Sequence, residues 1–410
     1  MKFHIANKQI KGTIRLDGSK SISNRILAIK LLSGKDFLVQ NLSTSKDTTI
    51  FQELMNNIED GANLDCGHAG TTFRFLTAIL AFKEGTQVLT GSARMQERPI
   101  GVLVDALRKL GANISYMKKE GFPPLKIDES NQAVNHNLTV SSEISSQYVS
   151  ALLMLAPTLK NGLILTLSGD MVSKSYIEMT LKIMSQFGIK YQWDENMISI
   201  APQTYLVKPF LVEADWSAAS YYYGLAAFSE TAEITLEGLF QDSVQGDAAM
   251  VEIMSKLDLQ TTFVKNGIVL SKSKNTSLPD VLEWNFINCP DIAQTVVVIC
   301  AGLGIIGMFS GLETLKIKET DRIQALQKEL LKVGVHFMQL PSRLSKTSTD
   351  IHYLVEGKAV IDHPVFNTYQ DHRMAMSFAP LGLFGPIEIE NPDVVVKSYP
   401  KFWDDLECLI

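Results

Sequence analysis

Residues 292–311 read IAQTVVVICAGLGIIGMFSG, and three folds compete for them. As the longest apolar run of the chain, the stretch is long enough to raise the question of a membrane span. As GLGIIG, with Gly302, Gly304 and Gly307 behind a β-branched stretch and Glu319 and Asp321 downstream, it has the spacing of a dinucleotide fingerprint. As a helix, a glycine stop and a strand, it is one unit of a repeat. Four glycines, Gln294 and the adjacent Asp291, with no flanking basic or aromatic anchors, argue against the membrane. A fingerprint needs a helix to open at its third glycine, yet MFSGLETLKI continues with Gly311 and strand-forming residues. The third reading decides the fold, because the pattern recurs.

A helix-like segment opened by small or polar residues appears at SISNRILAIKLLSG, AGTTFRFLTAILAFKEG, SSQYVSALLMLAPTLKNG, DWSAASYYYGLAAFSE, DIAQTVVVICAGLG and DHRMAMSFAPLGLFG. A short strand-like stretch follows each, and then a second amphipathic helix: DTTIFQELMNNIED, RPIGVLVDALRKL, SYIEMTLKIMSQF, GDAAMVEIMSKL, ETDRIQALQKELLKV and PKFWDDLECL. Gly61, Gly111, Gly188 and Gly334 stand where four of these second helices should be capped. Strand pairs such as IKYQWDENMISIA and LQTTFVKNGIVLSK, the latter turning at Asn266 and Gly267, fill the intervals. The spacing predicts a βαβαββ unit used six times. In that register TVVVICAGLG is a first helix, which deprives the fingerprint of its strand. The first repeat departs, since too few residues follow Gly61 for a strand pair.

Composition agrees with a globular chain. Its 410 residues are 46% hydrophobic and 20% charged, enough for roughly two to three domains with large cores. With 38 basic against 44 acidic residues and a net charge of -6, no general attraction to nucleic acid or anionic membrane is expected. Cys66, Cys289, Cys300 and Cys408 have no metal-ligand spacing and suit a reduced compartment. The start MKFHIANKQIKG has neither an apolar signal core nor a transit pattern, so a cytoplasmic protein is expected.

The unusual polar residues fall at equivalent places of the repeat. In GSKSISNR, Ser21 or Ser23 can cap a helix that Gly34 stops. Lys20 and Arg25, however, are cations at the positive end of a helix dipole, which is unfavourable unless an anion binds there. The other first helices open with His68, Gly70, Thr71 and Arg74; with Ser145, Ser146 and Gln147; with Asp215; with Asp291; and with Asp371, His372 and Arg373. Second helices open with Asp47, Arg98, Ser173 and Tyr176, Lys318, Glu319 and Arg322, and Lys397. Each motif alone reads as a capped or salt-bridged helix start. Their shared position predicts convergence of Lys20, Arg25, Arg74, Arg98, Lys318, Arg322, Arg373 and Lys397 on a substrate with several negative charges.

GSKSISNR, AGTTFRFL, ERPIG with VDALRKLGA, SSQYVSALLMLAP, SKSYIEMTLKIM, IKETDRI and TYQDHRMAM, in this order over essentially the whole chain, closely resemble the 5-enolpyruvylshikimate-3-phosphate synthase family of enolpyruvyl transferases. The resemblance implies an α/β fold, a two-lobed inverse α/β barrel of six repeats, three per lobe. It implies one lobe over 19–213, carrying most contacts to shikimate 3-phosphate. The second lobe, 1–18 plus 214–410, would carry Asp291, Glu319 and the phosphoenolpyruvate arginines, with the active site in the cleft. The implied reaction moves the enolpyruvyl group of phosphoenolpyruvate onto the 5-hydroxyl of shikimate 3-phosphate and releases phosphate. No metal or organic cofactor, no nucleic acid or membrane partner, and a monomer are expected.

By the same resemblance Asp291 and Glu319 are the proton-transfer residues, assisted by Lys20. Lys20, Ser21, Arg25, Ser145, Ser146, Gln147, Ser173, Tyr176, Asp291 and Lys318 would hold shikimate 3-phosphate. Lys20, His68, Gly70, Thr71, Arg98, Gln147, Arg322, His372, Arg373 and Lys397 would hold phosphoenolpyruvate. Three positions depart from the family pattern: His68 and Thr314 stand where Asn is usual, and Phe75 where Pro is usual. The sister UDP-N-acetylglucosamine enolpyruvyl transferase shares the repeat, but would show a KNAALP-like opening and a loop cysteine where this chain has Ala93. A catalytically silent anion binder would gain nothing from keeping both Asp291 and Glu319 in a cationic site.

Overall fold

The computed structural model describes residues 1–130, 135–141, 145–169, 174–273, 277–341 and 351–410. The chain divides into an inserted unit, Gly18–Val212, and a flanking unit made of Met1–Asp17 and Glu213–Ile410. Each is an α/β barrel turned inside out, with helices at the centre and small sheets around them.

Composition explains why those helices lie inside. WSAASYYYGLAAF at Trp216–Phe228 and AQTVVVICAGL at Ala293–Leu303 offer no polar face, and a helix of that kind must be covered all round. Together with His372–Phe378 they pack on one another at the centre of the flanking unit. In the inserted unit Lys20–Ser33, Gly70–Leu80 and Ser146–Leu155 do the same. The stretch 292–311 resolves into a 3-10 turn, a helix capped by left-handed Gly304 and the strand Ile306–Ser310. Among the described residues no helix is long and apolar enough to cross a membrane.

The sheets carry the repeat. In the inserted unit Asn63–Asp65 runs parallel to Gln87–Thr90, which pairs antiparallel with Leu125–Asp128 and through it with Asn113–Tyr116. Asn137–Ser141, Leu163–Ser168, Met197–Ile200 and Gln192–Asp194 repeat the order. So do Gln9–Arg15, Thr231–Glu237, Gly267–Lys272 and Gln260–Val264 in the flanking unit. Val281–Asn285, Ile306–Ser310, Tyr353–Glu356 and His336–Gln339 form the fourth such sheet. Two repeats are reduced. The last keeps Val365–Phe366 parallel to Ile387–Ile389 and takes its third strand, Lys2–Phe3, from the N-terminus. The first has only Val39–Gln40 parallel to Phe210–Leu211, so its strand pair is indeed missing.

Two local expectations need correction. Gly61, at φ 75°, does not cap the second helix of the first repeat, which stops at Asn56. Asn57 Nδ2 donates to the Glu53 carbonyl at 2.9 Å, satisfying the last turn through a side chain and ending the helix early. Lys318 and Glu319 precede the helix they were expected to open. It begins at Arg322, because Asp321 is the residue that accepts from the Ile323 and Gln324 amides, each at 3.1 Å.

Gly18 is the tightest backbone passage where the chain enters the inserted unit. A β-carbon there would lie 1.8 Å from the Asn41 carbonyl oxygen, and Asn41 is fixed in turn by its Nδ2 bond to the Val212 carbonyl at 3.0 Å. Gly34, at φ 62°, has nothing within 4 Å of its missing side chain. Gly18→Ala is therefore expected to destabilise by about 3 kcal/mol or more, since backbone cannot yield to overpacking. Gly34→Ala should lose only the left-handed preference, about 1 kcal/mol. Urea midpoints compared at equal m-value decide: equal losses would mean that the Gly18 passage is not closed by backbone.

Candidate active site

In the flanking unit four cations and four carboxylates converge at the ends of the inner helices. Asp371 caps His372–Phe378, accepting from the Arg373 amide at 2.9 Å, and the same carboxylate grips Arg322 through Nε at 2.7 Å and Nη2 at 3.3 Å. Arg322 Nη2 also reaches Glu319 at 2.9 Å, and Nη1 lies 3.4 Å from Asp291. Glu319 takes Lys397 Nζ at 2.7 Å on its other oxygen. Asp291 is ringed by Arg373 Nη2 at 3.1 Å and Lys318 Nζ at 3.5 Å besides Arg322. Arg373 continues to the Tyr221 hydroxyl and the Ser217 Oγ, both at 3.3 Å. Ser217 donates in turn to the fully buried Asp247.

The electrostatics follow from burial. Burial alone lowers the Arg322 guanidinium, but Asp371 and Glu319 outweigh it, so its pKa is raised. Burial first, and then the neighbouring Asp291, push the Asp247 carboxyl up to about 7, against the opposing pull of Arg373 and the Ser217 hydroxyl.

The inserted unit assembles the other predicted residues with a different balance. Lys20 opens its helix, half-buried, 3.5 Å from Asp47 Oδ2. Arg25, one turn on, is buried and donates to Thr180 Oγ1 at 2.7 Å, the Ser21 carbonyl at 2.8 Å, Ser150 Oγ at 3.1 Å and the Tyr176 carbonyl at 3.3 Å. Its guanidinium faces the rings of Phe75 at 5.7 Å and Tyr176 at 5.8 Å, and burial lowers its pKa to about 10 despite the pull of Tyr176. Phe75 thus has a packing partner of its own. Arg74 and Arg98 both crowd Gly70, where a β-carbon would stand 2.5 Å from Arg98 Nη1 and 2.9 Å from Arg74 Nη1. Gln147 Nε2 donates to Thr71 Oγ1 at 3.0 Å, while its buried Oε1 has no partner among the described residues. His68 Nδ1 meets Ser92 Oγ at 3.0 Å. Ser145 caps Ser146–Leu155 and accepts from the Gln147 amide at 3.4 Å.

Several expectations change. Neither Ser21 nor Ser23 caps its helix: Ser19 holds the N-cap place with no side-chain bond, and Ser23 Oγ is occupied by the Ser43 amide at 2.9 Å. The Gly70–Leu80 helix, opened by Ala69, likewise has no side-chain cap. Asp215 and Asp371, by contrast, fill the openings of two inner helices in the flanking unit. The four cations of the flanking unit are not bare: carboxylates already match them. His372 is buried beside Asp371, its Nδ1 3.8 Å from Oδ1. Thr314 Oγ1 is buried without a hydrogen-bond partner among the described residues. Ser173 lies outside the described residues. Sequence reasoning passed over Asp247 and Ser217, although Asp247 opens a second helix just as Asp47 does. Among the described residues no group of three or more His, Cys, Asp or Glu side chains is arranged to hold a metal ion.

A family profile described as EPSP synthase (3-phosphoshikimate 1-carboxyvinyltransferase) matches residues 5–406. A 3-phosphoshikimate 1-carboxyvinyltransferase of Bacteroides fragilis is 47% identical over 406 residues, covering 98% of this chain and 96% of the relative. One from Paraburkholderia phymatum is 33% identical, covering 96% and 95%. The solved EPSP synthase of Acinetobacter baumannii superposes with a TM-score of 0.77 at 22% identity, covering 100% of this chain and 97% of that one. The enolpyruvyl transferase NikO of Streptomyces tendae gives 0.72 at 14% identity, covering 100% and 96%. The two solved structures establish the shared fold, and the extent of the sequence match establishes more: this chain belongs to the EPSP synthase family.

Proposed function

We propose that the chain transfers the enolpyruvyl group of phosphoenolpyruvate to the 5-hydroxyl of shikimate 3-phosphate, releasing phosphate. Arg322 carries the reading: a single buried guanidinium holds Asp291 and Glu319, the two carboxylates the chemistry needs, in one cluster of paired charges. The lobe over 19–213 holds most of shikimate 3-phosphate through Lys20, Ser21, Arg25, Ser145, Ser146, Gln147, Ser173 and Tyr176, with Asp291 and Lys318 of the second lobe at the shikimate hydroxyls. The opening of Lys20–Ser33, which has no side-chain cap, favours an anion beside Lys20 and Ser21. Phosphoenolpyruvate meets Lys20, His68, Gly70, Thr71, Arg98, Gln147, Arg322, His372, Arg373 and Lys397.

In the addition step the 5-oxygen attacks C2 of phosphoenolpyruvate. Asp291 takes the hydroxyl proton while protonated Glu319 gives one to C3, turning the methylene into a methyl group. In the elimination Glu319 takes a methyl proton back, the C2–O bond to phosphate breaks, and Asp291 returns its proton to the departing phosphate. Lys20 neutralises charge between the two substrates. Lys397 and Arg322, each on a different oxygen of Glu319, fix the rotamer of that carboxyl. Excluding water from such a site protects the ketal between the two steps.

Phosphate release is expected with phosphoenolpyruvate and shikimate 3-phosphate together, and not with phosphoenolpyruvate and UDP-N-acetylglucosamine. Release with the sugar nucleotide alone would overturn the assignment. Glu319→Gln should lower turnover by about 100-fold to 10,000-fold with shikimate 3-phosphate binding nearly intact; near-normal turnover would remove Glu319 from the proton transfer at carbon. Arg25→Ala should weaken binding of shikimate 3-phosphate, measured by calorimetry without phosphoenolpyruvate, and also lower the melting temperature, because it removes the hydrogen bonds of a buried guanidinium to Thr180, Ser150 and two carbonyls. Unchanged affinity in a folded variant would confine Arg25 to a packing role.

A further inference from the structure

The residues immediately before Asp371 adopt a turn that their sequence disfavours. Asp371 N donates to the Thr368 carbonyl at 2.8 Å, and the two residues between them, Tyr369 and Gln370, have φ of 52° and 58°. Two consecutive positive φ values belong to mirror-image turns, which select Asn and Gly; Tyr and Gln hold them only where surrounding structure compels it. That compulsion is visible. Tyr369 Oη donates to Glu329 Oε1 at 2.6 Å, and the Asn367 amide donates to Glu329 Oε2 at 2.9 Å. The Tyr369 amide donates to Asn367 Oδ1 at 2.8 Å. Lys332 Nζ bridges Glu329 Oε2 at 2.6 Å and the Val365 carbonyl at 2.8 Å. Glu329 is itself fully buried and sits on the helix that Arg322 opens. One helix therefore grips the Asp371 region twice, through Arg322 on the carboxylate and through Glu329 on the turn before it.

We propose that Glu329 and Tyr369 are positioning residues, which hold this strained turn so that Asp371 keeps its grip on Arg322 and caps the helix that presents Arg373 to the anionic substrate. The inference rests on the reading that Arg373 binds phosphoenolpyruvate. Released from Glu329, the turn can relax toward ordinary negative φ, rotating the start of His372–Phe378 and carrying Arg373 away from Asp291.

Tyr369→Phe, which removes one hydroxyl from a partly exposed ring, is the deciding variant. It should raise KM for phosphoenolpyruvate by roughly 10-fold while leaving the affinity for shikimate 3-phosphate alone within about 2-fold. Glu329→Gln should move the same parameter in the same direction. Adding Gln370→Gly to Tyr369→Phe should bring KM back to within about 3-fold of the unmodified protein, because glycine holds a positive φ without a clamp. A merely structural loss would lower stability and active fraction without that selective shift or its rescue. An unchanged KM in Tyr369→Phe, or no recovery in the double variant, overturns the proposal. Arg373→Ala, measured in parallel, separates the two levels. If it raises KM and Tyr369→Phe does not, only the positioning role fails. If Arg373→Ala leaves KM unchanged, the reading of Arg373 fails, and the positioning role falls with it.

Discussion

A buried guanidinium is the constraint around which the flanking unit is arranged. Removing Arg322 from water costs several kcal/mol unless opposite charges and hydrogen bonds replace the lost solvation. Asp371, Glu319 and Asp291 do so from three different segments of the chain. Each segment is fixed by that requirement: the cap of one inner helix, the loop entering a second helix and the turn opening another inner helix. Loss of any one carboxylate would leave charge uncompensated in the interior, so the geometry of the cluster and the local fold depend on the same contacts.

The same repeat supports two kinds of helix end. In the inserted unit two inner helices open without a side-chain cap, and Lys20, Arg74 and Arg98 stand close to those openings. Their first-turn amides and the neighbouring cations suit an external anion. In the flanking unit aspartates occupy the corresponding places, and the cations are matched from within. Burial and the neighbouring Asp291 raise the Asp247 carboxyl within that internal network. Architecture alone is silent on this distinction, because it resides in which residues stand at equivalent helix ends.

Order along the chain was legible because it is written in local, periodic terms. All-apolar helices must be inner helices, alternating stretches must be sheet, and Gly111 and Gly188, at φ 104° and 82°, mark helix ends as expected. Resemblance added the residues expected to bind and react, and most of them gather in two clusters. What failed was local chemistry with two equally good local answers. Ser21 and Ser23 are acceptable caps by type, yet Ser23 is used by the Ser43 amide from a separate segment. Gly61 is an acceptable cap, yet Asn57 ends the helix first.

The sequence by itself determined the sixfold repeat, the inner and outer character of its helices and the residue types at their ends, since these depend on neighbours a few positions apart. Tertiary structure alone decided who pairs with whom. Asp247 reaches Arg373 through Ser217, Glu329 grips Tyr369, and Arg25 meets Thr180 and Ser150. Those partners lie tens to hundreds of positions apart in the chain. A buried charge or a strained turn accepts whichever partner the packed helices bring within hydrogen-bond distance, and that distance is set by packing in three dimensions, not by spacing in one.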